Sequence, residues 1–129
     1  MAYTHAIVWM DHTEARVIHL DEANHEAHHV KSPHGKEHLH HKRGSVGDGN
    51  ASAHADFFGL IVKALGGAQE ILVVGPASAK NEFVKHAGAH DAQFAKRVIA
   101  VENMDHPSEN QLVAHARKYF VAADRMRPL

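Results

Sequence analysis

Cysteine is missing from the 129-residue chain. Its absence excludes disulfides, thiolate zinc sites and cysteine nucleophiles, and it suits a reducing compartment. No apolar run approaches the roughly 20 residues that a membrane-spanning helix needs. The amino-terminal sequence MAYTHAIVWMDH also lacks the basic region of a signal peptide. We therefore expect a cytoplasmic protein without a membrane partner.

The chain also has little excess charge of either sign. Fourteen Lys and Arg residues against fifteen Asp and Glu residues give a formal net charge of -1, so any basic nucleic-acid-binding surface must be local. Histidine is abundant, with 15 copies, which makes the net charge sensitive to mild acidification. The length and the hydrophobic content of 44% predict one globular domain over residues 1–129.

The apolar pattern predicts three strands in the first quarter of the chain. Residues 5–10 form a nearly continuous apolar run, typical of a central strand, and residues 15–20 alternate well enough for a second strand. Residues 25–31 form a more polar third strand. Because short polar turns join these segments, they predict an antiparallel meander with the third strand at the sheet edge.

Helices and strands alternate in the remainder. A helix carries Phe57, Phe58, Ile61, Ala64 and Leu65 at helical spacing, and a strand over 70–75 follows it. The next helix has Ser78 as a possible cap and carries Phe83, Val84 and Ala87 on one face. After a strand over 97–102, Ser108 and Gln111 fit a capping box, and the last helix buries Leu112, Val113, Ala116, Tyr119 and Phe120.

The predicted order is therefore βββαβαβα. It indicates an α/β domain with a mixed five-stranded sheet and helices on both faces. This is the layout of ribonuclease H-like domains. Nucleases of this layout hold two cations with clustered carboxylates, but only Asp11 and Asp56 are available, and Gly75-Pro76 stands where a third acid is needed. We interpret Asp11 as a turn residue and Asp56 as lying near a helix N-terminus.

The third strand and the first helix are joined by a long His/Gly-rich basic loop over residues 32–51. From position 31 to 43 the cations Lys31, Lys36, Lys42 and Arg43 face the single acid Glu37. Basic side chains and glycine-rich backbone can contact phosphate, whereas stacking aromatics are missing. The predicted RNA- or ribosome-binding residues are His38, His40, His41, Lys42, Arg43, Gly44, Ser45 and Gly47. The alternative interpretations are a solvated loop and a metal site formed by His34, His38, His40 and His41; we expect no metal and no cofactor.

Four segments carry a resemblance to a known group: WMDHTEARV, HHKRGSVG, EILVVGPASAKNEF and MDHPSENQLVAHARKYF. They resemble the small bacterial proteins called translational machinery proteins, over nearly the whole chain. More distantly, the layout is similar to the middle domain of archaeal and eukaryotic class I release factors and of Pelota. The resemblance implies a ribonuclease H-like fold, a role in translation, and the ribosome or tRNA as partner.

In the release factors the corresponding loop carries a Gly-Gly-Gln motif, whose Gln and backbone promote attack of water on peptidyl-tRNA. Here that loop reads KRGSVGDGNAS, which keeps glycines and basic residues but has no Gly-Gly-Gln. The leading interpretation is thus a non-catalytic, translation-associated domain that binds RNA or the ribosome. One alternative is a hydrolase acting on peptidyl-tRNA or RNA, with His40 or His41 as general base. Another is a homo-oligomeric interaction module, a homodimer formed at the polar third strand.

Overall fold

The computed structural model describes residues 3–33 and 48–122, and of residues 48–53 it describes the backbone only. Five strands form one sheet: β1 (His5–Met10), β2 (Glu14–Leu20), β3 (His25–Lys31), β4 (Glu70–Gly75) and β5 (Val98–Asn103). Their spatial order is β3-β2-β1-β4-β5. The first three strands pair antiparallel, whereas β4 runs parallel to β1 and β5 runs parallel to β4. The predicted meander, with β3 at the edge, is confirmed.

Helices cover both faces of this sheet. The helices are α1 (Asp48–Leu65), α2 (Ala79–His90), α3 (Ala92–Arg97) and α4 (Glu109–Ala122). The first three pack on one face, where Phe57, Phe83 and Phe94 contact strand residues such as Val8 and Val73. Helix α4 alone packs on the other face, through Leu112, Val113, Ala116 and Phe120. Because β1 lies in the middle, it is buried on both sides, which explains its continuous apolar sequence.

The fold confirms the predicted α/β class with a mixed five-stranded sheet, and it differs from the prediction in several details. Helix α1 begins at Asp48, so the last four residues of the predicted 32–51 loop are helical. A short helix, α3, precedes β5, which runs over Val98–Asn103 rather than 97–102. Ser78 makes no side-chain cap to α2. Tyr119 is only partly buried.

The predicted capping box of α4 is confirmed. The backbone N–H of Ser108 donates to Oε1 of Gln111 at 2.8 Å, and the N–H of Gln111 donates to Oγ of Ser108 at 3.1 Å. Two N–H groups that the helix leaves without an internal acceptor are thereby satisfied. Over the parts of the chain that the structure describes, no helix has the length and apolar character needed to cross a membrane.

Candidate functional site

The carboxyl ends of four strands meet at one edge of the sheet. Since β3 is antiparallel to β2 and β2 is antiparallel to β1, β3 ends at the same edge as β1, β4 and β5. We call this edge, formed by residues 11–13, 32–33, 75–78 and 104–108, the carboxyl edge. In open α/β sheets ligands bind outside the carboxyl ends of the strands, so this edge is the first place to look for a site.

The RNA-binding residues predicted from the sequence lie outside the described residues. These are His38, His40, His41, Lys42, Arg43, Gly44, Ser45 and Gly47, together with His34 of the metal interpretation. The chain on either side of them is described. The N–H of Ser32 donates to the carbonyl oxygen of Thr13 at 2.8 Å, which ties the end of β3 to the β1–β2 turn. On the other side, His54 of α1 approaches His12 of the same turn, with ring centroids 5.6 Å apart. Ser32, before the segment 34–47, and His54, after it, thus both lie beside the β1–β2 turn.

A carboxylate–histidine pair lies at this edge. Nε2 of His12 is 3.1 Å from Oε1 of Glu82, and Oγ of Ser78 donates to Oε2 of the same carboxylate at 3.0 Å. Partial burial acts to raise the pKa of Glu82, but the hydrogen bonds from Ser78 and His12 and the charges of His12 and His54 outweigh it and lower that pKa. The ionised carboxylate accepts from Nε2 of the His12 ring, and no residue that the structure describes bonds Nδ1 of that ring.

Sequence reasoning missed this pair. Its two residues are 70 positions apart, and they meet only because α2 starts beside the β1–β2 turn. The one local signal was the Asp-His-Thr-Glu stretch at the end of a buried strand, where polar residues of a site are to be expected.

Asp11 is the turn residue that the sequence predicts. Its Oδ1 accepts from the backbone N–H groups of Thr13 and Glu14, at 2.8 and 3.0 Å, and from the Thr13 hydroxyl. Asp56, however, lies in the third turn of α1 and not near its N-terminus, because the helix begins eight residues earlier. Among the described residues no group of three or more His, Asp or Glu side chains could hold a metal ion, so a two-cation nuclease centre has no support there.

The polar side chains at the start of α2 bond to groups of the same segment of chain. Ser78 is engaged with Glu82, and Lys80, which is almost fully buried, donates from Nζ to the carbonyl oxygen of Ala77. Lys80 is therefore a structural residue in the strand-to-helix turn.

A groove runs past the start of α4 on the opposite face of the sheet. Nε1 of Trp9 donates to the carbonyl oxygen of Asp105 at 2.6 Å, and the ring of His106 stacks over Trp9 with centroids 4.9 Å apart. Beside them a pocket of about 210 Å³ is lined by Arg16, Ile18, Ala27, His28, His29 and Glu109. Arg16 is exposed and makes no ion pair with any residue that the structure describes. It is a cation available to a partner near the carboxyl edge.

Most described histidines are bonded to acceptors. Pairs with carboxylates are formed by His5 with Glu70, His12 with Glu82, His25 with Glu109, His28 with Glu26, His29 with Glu14, His106 with Asp11 and Asp105, and His115 with Glu102. His19, on β2, bonds the carbonyl oxygen of Ala64 at 2.9 Å. Of the strand histidines, His5 and His19 are partly buried and bonded, whereas His28 and His29 are exposed. His115, on α4, is partly buried and pairs with Glu102 at 2.8 Å.

Comparison with known proteins gives a likeness of fold. No family model matches the chain, and no curated protein matches its sequence. Pelota from Archaeoglobus fulgidus has a TM-score of 0.65 at 15% identity, covering 98% of this chain and 34% of that one. The archaeal translation termination factor aRF1 has a TM-score of 0.57 at 18% identity, covering 95% and 36%. Dom34 from S. cerevisiae has a TM-score of 0.59 at 10% identity, covering 95% of this chain and 34% of that one. It is described as a translation termination-like factor involved in RNA quality control pathways and interacting with Hbs1.

These structures confirm the fold expected from the resemblance. The chain spans about one third of the length of the solved structures it matches, as a match to a single domain of a longer protein requires. At these low sequence identities, the similarity to the solved structures establishes the fold. The bacterial character of the resemblance has no support in structures that come from archaea and yeast.

Proposed function

We propose that residues 1–129 form a single translation-associated domain that binds the ribosome or tRNA and contacts RNA through residues 38–47. The observation that carries the proposal is the likeness in fold, over 95–98% of this chain, to Pelota, Dom34 and aRF1. Two of these are named as a translation termination factor or a termination-like factor. A domain with this fold and a basic, glycine-rich connection between β3 and α1 is suited to phosphate contact.

The arrangement of charge at the carboxyl edge supports contact with RNA. Acidic groups there would repel phosphate, but each of three carboxylates is held by a histidine: Asp11 by His106, Glu14 by His29 and Glu82 by His12. Arg16 and Lys31 add exposed positive charge on the same side of the molecule. Lys42 and Arg43 lie in the sequence between β3 and α1, and side chains of these types contact phosphate.

Ribosome co-sedimentation tests the proposal. The chain is expected to move with ribosomes at low salt and to dissociate progressively as the salt concentration rises, because phosphate contacts release counterions. A chain that stays at the top of the gradient at every salt concentration would remove the ribosome from the proposal, and gel-shift assays with tRNA would then decide on the remaining partner.

A second function, hydrolysis of peptidyl-tRNA or RNA, is favoured by the pair of His12 and Glu82. A carboxylate that holds one ring nitrogen of an imidazole leaves the other nitrogen as a general base. The side chain of His12 is 43% exposed, so a substrate or a water molecule reaches it. In this alternative His12 adds a described candidate to His40 and His41, and the absence of Gly-Gly-Gln is compensated by a positioned imidazole.

Release of the acyl group from peptidyl-tRNA by the purified chain tests this alternative. We expect His12→Ala to lower the rate by about 10²-fold or more, and Glu82→Gln to lower it less, because the imidazole remains. His115→Ala, which removes a histidine that pairs with Glu102 and not with Glu82, is the matched control and is expected to keep the rate. A rate that is equal in all three variants, or no release at all, rules out hydrolysis by this pair.

A further inference from the structure

Two histidines differ from the other described ones in having no polar partner. His86 and His90 make ring contacts, but neither forms a hydrogen bond or an ion pair with any residue that the structure describes. Both lie on α2, and their ring centroids are 4.4 Å apart. Each of these two adjacent imidazoles can therefore offer one nitrogen lone pair to the same external ion.

The spacing is the one that lets a helix chelate a metal ion. Residues four apart point in the same direction, one turn above the other, and pairs of histidines at this spacing bind zinc in metalloprotease helices. The residues between them, Ala87, Gly88 and Ala89, are small. No bulky side chain of the same helix therefore competes for the space between the two rings.

The surroundings hold one ring in place and favour positive charge. The ring of His86 packs on Phe58 of α1, with centroids 5.4 Å apart, and is partly buried. His90 is exposed and is the last residue of α2. The free carbonyl groups at a helix C-terminus carry partial negative charge, which stabilises a cation there. Packing thus fixes one ligand, and only the exposed ring has to be ordered when an ion binds.

The neighbouring carboxylate of Asp91 is not a further ligand, because it accepts from the N–H groups of Gln93 and Phe94 as the cap of α3.

We infer that His86 and His90 form a two-histidine chelate for a divalent transition-metal ion such as Zn²⁺ or Ni²⁺. Zinc in proteins takes four ligands. The described residues offer no third His, Asp or Glu at this place, so the remaining positions are open to water or to a donor from outside. A bound ion can therefore exchange with the solvent. The site is distinct from the carboxyl edge, and the inference does not depend on ribosome binding.

The test is a Zn²⁺ titration of the full chain, followed through the imidazole resonances of individual histidines by NMR. Resolving single residues separates this site from any zinc bound by the other histidines. We expect His86 and His90 to shift together at one common zinc concentration. In His90→Ala, the zinc concentration needed to shift His86 is expected to rise about tenfold or more, because the second bond of a chelate forms at high effective concentration.

His28→Ala is the matched control, since His28 is also exposed but interacts with Glu26 on β3. It is expected to leave the midpoint at His86 unchanged. The inference is wrong if His86 and His90 shift at different zinc concentrations, or if the midpoint at His86 is the same in His90→Ala as in the unsubstituted chain. Because His90 is exposed, loss of the fold does not complicate this variant.

Discussion

At the scale of single residues, Gly75 of β4 leaves no space for a side chain beside the backbone of β1. A Cβ atom at this position would lie 2.2 Å from the carbonyl oxygen of Met10. Backbone on both sides has to move to accept it, so we expect Gly75→Ala to lower the free energy of unfolding by about 1–3 kcal/mol. Urea denaturation measures this change.

Gly59 provides the control for Gly75. It lies within α1, and a Cβ atom there would meet nothing within 4 Å. Gly59→Ala is expected to raise the free energy of unfolding by about 0.5–1 kcal/mol, because alanine loses less backbone entropy in a helix. If both variants change stability in the same direction, the close approach of β4 to Met10 is not as described.

Glu82 gives a residue-scale prediction about acid. Its pKa in the folded chain lies below the ordinary 4.5: burial alone would raise it, but the hydrogen bonds from Ser78 and His12 and the charges of His12 and His54 prevail. A carboxyl group with a lowered pKa stabilises the fold above its unfolded pKa, and this contribution is lost as the pH falls through the folded value. NMR titration of the carboxyl carbon is expected to show a pKa below 4.5, which moves up in His12→Ala.

His115→Ala serves as the reference for that titration. It removes a histidine that pairs with Glu102, and the pKa of Glu82 is expected to stay where it is. A Glu82 carboxyl that titrates at or above 4.5 in the unsubstituted chain would contradict the pairing with His12.

At the scale of elements, the two serines near helix starts are expected to differ. Ser108 accepts from the N–H of Gln111 as the cap of α4, whereas Ser78 makes no such bond to α2. Replacing a capping serine by alanine costs about 1 kcal/mol. We expect this loss of unfolding free energy in Ser108→Ala and a smaller one in Ser78→Ala, measured by thermal unfolding. Equal losses would show that the capping box does not determine where α4 begins.

The elements that were predicted well are those whose signal is local. β1, β3 and β4 run over the predicted residues, because buried or alternating apolar residues and short polar turns lie next to each other in the chain. The capping box of α4 is local for the same reason. The start of α1 was placed too late because Gly49 and Asn50 are poor helix formers. Helix α3 was missed because six residues with one buried side chain, Phe94, are too short for periodicity to show.

The edge strand β3 also carries a prediction about assembly. Its outer side has no neighbouring strand in the sheet, and its residues are mostly exposed, so a second copy could extend the sheet and form a homodimer. The edge position is confirmed, and the homodimer stays a prediction. Light scattering over a range of concentrations decides it: dimer mass that disappears when a proline replaces Ala27 supports pairing at β3, and monomer mass throughout rejects it.

At the scale of the whole molecule, the order of strands and helices brings the residues of the candidate site together. The β1–β2 turn and the start of α2 are far apart in sequence, yet His12 and Glu82 meet because β4 lies beside β1 and α2 follows β4. No pattern of neighbouring residues in the sequence predicts a contact between side chains 70 positions apart. The sequence did show a basic, histidine-rich connection after β3, and the fold adds that Ser32 before it and His54 after it lie beside the β1–β2 turn.

The central claim is that the chain binds ribosomal RNA or tRNA through cations of that connection. The most direct measurement compares the salt dependence of ribosome binding for three chains: unsubstituted, with Lys42→Ala and Arg43→Ala combined, and with the exposed Lys96 and Lys118 of α3 and α4 replaced by alanine. Each phosphate contact adds about one to the slope of log affinity against log salt. The account predicts that the slope falls by about two in the Lys42/Arg43 variant and stays unchanged in the Lys96/Lys118 variant. Equal slopes in all three chains would contradict it.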